Sequence, residues 1–115
     1  MANPDEGQVG FEADGKTWTL EITNRTERAI QSRLKCAMGE VMRKLADGDV
    51  VTLQAVFHES LKKHHPDVKE DQAIDLVRPR ELRRLVSAVL ATTYPDPDEK
   101  KNPPQPDQDE TGPAN

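Results

Sequence analysis

The side chains with the most chemistry to offer are His58, His64, His65, Cys36 and the arginines Arg80, Arg83 and Arg84. His58 and His65 are seven residues apart, which places them on one helix face and invites a metal reading. A zinc site needs three or four ligands, and neither Cys36 nor a well-placed carboxylate completes the set, so no metal is expected. Arg33 and Lys35 are basic neighbours that precede Cys36 and would favour a thiolate, but it has no neighbouring histidine and no glycine-rich nucleophile turn. It reads as a small apolar position near a helix end. The carboxylates are scattered at solvent spacing, the glycines fall in turns, and there is no phosphate-cradling loop. No catalytic residue and no cofactor site is expected, so the chain reads as a non-enzyme.

Composition narrows the rest. The chain has 115 residues, 32% charged and 34% hydrophobic, with four aromatics: Phe11, Trp18, Phe57 and Tyr94. That supports one lean core. No apolar run is long enough for a membrane span, the first residues lack a secretory signal pattern, and a lone cysteine suits a reducing compartment. A soluble cytoplasmic protein is expected. The net charge of −5 divides unevenly: residues 1–23 carry −4, residues 24–94 carry +3 and residues 95–115 carry −4. Acidic ends around a mildly basic body argue against a dedicated nucleic-acid binder.

The elements follow from hydrophobic period and turn chemistry. Val9, Phe11 and Ala13 alternate with polar neighbours, as do Trp18, Leu20 and Ile22, across Asp14-Gly15. A type I′ turn there pairs Phe11 with Trp18 and gathers the apolar side chains on one face. From about Thr26 the spacing of Ile30, Leu34, Ala37, Met38, Val41 and Leu45 is helical, with Asn24 or Thr26 as N-cap. Gly39 marks a joint near 36–39, and the second short helix ends at Asp47-Gly48. Thr52 is expected to cap a third helix with a Leu53, Val56, Phe57, Leu61 stripe, ended by Pro66. Asp67 to Glu70 has capping-box spacing for a short helix running through Val77. Pro79 opens a last helix with Leu82, Leu85, Val86, Val89 and Leu90 opposite Arg80, Arg83 and Arg84. From Pro95, six of 21 residues are proline. That segment reads as a disordered tail. The fold class is therefore α+β: an N-terminal two-stranded antiparallel hairpin on four to five short helices, with a flexible 1–6, one domain over 7–94 and a disordered 95–115.

His65-Pro66-Asp67, after a basic amphipathic helix, resembles the signature tripeptide of J-domain co-chaperones. That family continues into a long third helix, which Pro79 forbids here, and it does not begin with a hairpin. Locally the tripeptide serves as a helix stop and a new cap, with no partner required. A second alternative is a small helical regulatory protein touching nucleic acid through Arg80, Arg83 and Arg84. The order of elements resembles a third group more fully. Asp14-Gly15 in a "DGKTWTLEIT" hairpin, the Met38-Gly39-Glu40-Val41-Met42 joint, and Leu53, Ala55, Phe57 and Leu61 running to His-Pro-Asp match the small tail assembly chaperones of gene transfer agents and siphophages. Cys36-Ala37 replaces a leucine-glycine pair of that family, and Ser60 stands where Gly or Ala is usual. The resemblance spans Gly7 to Tyr94. It implies a non-enzymatic protein acting in the bacterial host cytoplasm during particle assembly, binding the tape-measure protein and tail-tube subunits. Contacts through the hairpin (Phe11, Trp18) and the last helix (Arg80, Arg83, Arg84) are expected.

Overall fold

A computed structural model describes residues 2–95. The segment expected to be a disordered tail, residues 95–115, lies outside the described residues but for Pro95. Strands β1 (Gln8–Ala13) and β2 (Lys16–Glu21) form an antiparallel hairpin. Asp14 and Gly15 have φ values of 54° and 71°, the left-handed pair that a type I′ turn needs. The register pairs Phe11 with Trp18 and Val9 with Leu20, as the sequence requires. One face of the hairpin is consequently apolar, and Phe11, Trp18, Leu20 and Ile22 are buried. The Trp18 indole N–H is satisfied by the Ala13 carbonyl at 2.9 Å, so the ring is buried without an orphaned donor. Before the hairpin, Pro4–Glu6 form a 3-10 turn capped by the Asn3 side chain.

Helix α1 spans Asn24–Leu34 and α2 spans Met38–Ala46. Thr23, not Asn24 or Thr26, is the N-cap, its hydroxyl accepting from the Thr26 amide at 3.1 Å. Asn24 is already the first helical residue, so the extended residue before it is the one whose oxygen can reach that amide. Lys35 ends α1 in the left-handed region at φ 59°, and the joint is therefore Lys35–Ala37. Gly39 lies inside the first turn of α2 and breaks nothing. Gly48, at φ 78°, closes α2 and turns the chain straight into α3 (Val50–Leu61). Because the turn is so tight, α3 starts before Thr52. Thr52 sits buried in the first turn and donates to the Asp49 carboxylate at 2.7 Å, rather than capping.

α3 is the axis of the molecule. It touches β2, α1, α2, α4 (Glu70–Ile74) and α5 (Pro79–Thr93). The sequence displays one apolar stripe on it, yet from Thr52 to Leu61 every residue except Gln54 is buried. A helix enclosed on all sides must bury its polar positions too, here His58, Glu59 and Ser60. The Ser60 hydroxyl has no hydrogen-bond partner among the described residues, so its burial carries a desolvation cost.

After α3 the chain does not use Asp67 as a cap. Val68 is buried, its amide taken by the His65 carbonyl at 3.1 Å, so residues around Asp67 form a turn and α4 begins three residues later. α4 ends at Ile74 rather than reaching Val77. Pro79 opens α5, which buries Leu82, Leu85, Val86 and Val89. Among the described residues, no helix is long and apolar enough to cross a membrane.

Candidate functional site

His65 is turned inward. Its ring packs against Trp18 with centroids 4.6 Å apart and the planes tilted by 42°, and Nε2 accepts from the Thr19 backbone N–H at 3.0 Å. Thr19 lies on the outer edge of β2, so the imidazole satisfies an edge amide that the two-stranded sheet leaves open. Burial, with Lys16 and His64 adding to it, holds His65 below the ordinary imidazole value. Pro66 and Asp67 are exposed, and the helix after the tripeptide has only five residues. Next to this contact, Glu21 accepts from His64 at 2.8 Å and Lys63 at 3.1 Å. Burial works against ionising Glu21, but these two hydrogen bonds and charges outweigh it and keep the carboxyl below its usual range.

The linkage has a definite sign. The unfolded chain takes up a proton at His65 near the ordinary value of about 6.5, whereas the folded chain resists it. More protons are bound in the unfolded state, so this contribution is present above about pH 6.5 and lost as pH falls through the folded value. Glu21 adds a further loss at lower pH, below its ordinary 4.5. The urea midpoint is expected to fall between pH 7.5 and pH 5.5. His65→Gln, which can still accept from Thr19 but does not titrate, should cost about 1 kcal/mol at neutral pH and flatten most of that fall. Parallel pH profiles for the two proteins would rule the contact out as their cause.

The second polar cluster was not legible as a unit. Arg33 on α1 donates to Glu59 at 3.1 Å, to Glu70 on α4, and to His58 Nδ1 at 3.0 Å. Since arginine only donates, Nδ1 of His58 accepts and Nε2 carries the hydrogen given to the Val68 carbonyl at 3.0 Å. Lys62 also reaches Glu59, at 3.3 Å. His58 is thus spent on structure. It points into this cluster while His65 points at the hairpin, and among the described residues no group of three metal ligands exists. Cys36 is half-buried against the core.

Of the residues expected to meet a partner, Phe11 and Trp18 are buried in the core, each showing only an edge at a surface cleft. Arg80, Arg83 and Arg84 are exposed; Arg84 is paired with Glu81, while Arg80 and Arg83 take part in no ion pair among the described residues. Arg83 borders a feature that sequence reading missed. Val50, Leu53, Ile74, Val77, Pro79 and Leu82 line an apolar groove of about 190 Å³ between α3, α4 and α5. Val50 is 49% exposed at its mouth and Val51, beside it, 67%. Two adjacent valines opening a helix were the available signal, since a helix start that is solvated favours polar residues. Comparison with protein-family models, with curated proteins and with solved structures finds no match to this chain.

Proposed function

We propose that this protein is a non-enzymatic assembly factor of a phage-like tail, a tail assembly chaperone that holds an apolar helical segment of the tape-measure protein and helps recruit tail-tube subunits. The observation that carries the reading is the α3/α4/α5 groove, an apolar trough lined in part by half-exposed Val50 and by Arg83, with exposed Val51 next to Val50 in the chain. An amphipathic helix laid in such a trough buries its apolar face while the arginine engages an acidic flank. The order of elements shared with the tail chaperones supports the same partner class.

Tail-tube and tape-measure genes beside its own are the expected setting. Co-expressed with that neighbouring tape-measure protein, the intact chain should yield a soluble complex. The double variant Val50→Asp/Val51→Asp should bind about 10–100-fold more weakly while melting within a few degrees of the parent, because both side chains are exposed. Equal binding by parent and variant would remove the groove from the reading, and no binding by the parent would remove the reading itself.

A further inference from the structure

We infer that the outer edge of β1 is a second docking site, which takes an extended cationic segment of a partner protein as a third strand of the sheet. Ala13 and Lys16 close the two-residue turn as a hydrogen-bonded pair, so Gly10 and Glu12 of β1 and Thr17 and Thr19 of β2 direct their backbone groups away from the ladder. Two contacts confirm this parity: the Thr19 amide reaches out to His65, and the Gln8 amide reaches out to the Asn3 carbonyl at 3.1 Å. The two edges are thus treated differently. His65 closes β2 at its middle, whereas on β1 the N-terminal segment hydrogen-bonds only Gln8, and Ala2 lies against Gly10 without taking its amide among the described residues, so an added strand pairs there by displacing Ala2. Gly10 and Glu12 are exposed, and among the described residues their outward amides have no partner.

The edge is also shaped to receive a strand. A cleft of about 640 Å³ lies along it, lined by Ala2 and Pro4 of the N-terminal segment, by Val9 and Phe11 of β1 and by Thr92 of α5. Inward-facing side chains of an added strand would lie there. The surroundings are acidic: Glu12 in the strand, Asp5 and Glu6 in the turn before it and Asp14 in the turn after it are exposed, and none is in an ion pair among the described residues. An alternating segment with small apolar residues inward and Lys or Arg outward complements both the cleft and the charge. The same charge sets β1 edges of two copies against each other. The chain's own residues 95–115, with six prolines and a net charge of −4, suit neither the ladder nor the acidic rim. This site is independent of the groove and of its ligand.

The test uses full-length 15N-labelled protein and the heptapeptide acetyl-Lys-Val-Lys-Val-Lys-Val-Lys-amide. Saturable shift changes centred on the Gly10 and Glu12 amides, with their hydrogen exchange slowed about tenfold or more, are the expected result. Binding should weaken about tenfold or more when Glu replaces Lys in the peptide, and vanish when the bonding-edge amides of the peptide are N-methylated. Val50→Asp/Val51→Asp protein should bind the heptapeptide as the parent does. Unchanged affinity of the N-methylated peptide, shifts confined to the groove, shifts at Thr17 and Thr19 alone, or a peptide-independent dimer formed through β1 would each overturn the inference.

Discussion

Phe57→Ala should cost roughly 3–5 kcal/mol of folding free energy, the largest effect of any single truncation in this chain. Phe57 is fully buried on the axial helix, and its ring meets that of Phe11 at a centroid distance of 5.8 Å, tilted by 40°. It therefore joins the hairpin to the helices, and few other aromatics are present to take its place. Collapse of the cavity would require α3 to move, yet α3 is held by β2 and by the four other helices at once. A domain of this size has on the order of 5–14 kcal/mol in total, so the variant is left near the margin. A melting temperature lower by roughly 15–30 °C is the expected readout in calorimetry. Val51→Ala, one turn and a half earlier on the same helix but largely exposed, should change stability by less than about 0.5 kcal/mol. A Phe57→Ala cost below about 1.5 kcal/mol would show that the hairpin is not seated on this ring.

The second large effect is expected at Arg33, where Arg33→Met should cost about 2–4 kcal/mol. Its guanidinium serves Glu59, Glu70 and His58 together, and the Glu59 side chain is only 7% exposed. Removing the arginine leaves that carboxylate buried with Lys62 as its remaining cation. Lys62 is 44% exposed at the side chain, which keeps the loss below that of a fully stranded charge. Adding Glu59→Met should recover about 1 kcal/mol or more, because an apolar replacement of both partners avoids the desolvation that a lone carboxylate suffers. Chemical denaturation of the two single variants and the double closes the cycle. Additivity within about 0.5 kcal/mol would mean that the pair is not coupled.

These two sites differ in how far the sequence announces them. Phe57 stands in a visible apolar stripe, and its burial could be expected. Arg33 carries no such mark. Its partners lie 25, 26 and 37 residues away, on elements whose relative placement no local pattern encodes. The expected N-caps failed for a related reason. Several residues near each helix start had suitable side chains, and the choice fell to the geometry of the preceding connection: Ile22 leading into Thr23, Gly48 into Asp49, buried Val68 into Lys69.

By itself the sequence determined the hairpin, its turn and its register, because Asp14-Gly15 and the two-residue alternation act between near neighbours. It likewise determined that Pro79 begins a helix and that α5 faces inward with Leu82, Leu85, Val86 and Val89. Only the tertiary structure decided that α3 is buried from Ala55 to Leu61 on all its faces, since a stripe records the minimum that must be buried. Only the tertiary structure decided the use of His65, whose partner Thr19 is 46 residues earlier in the chain. A tripeptide that ends a helix by local rules supplies, once folded, the histidine that caps one sheet edge.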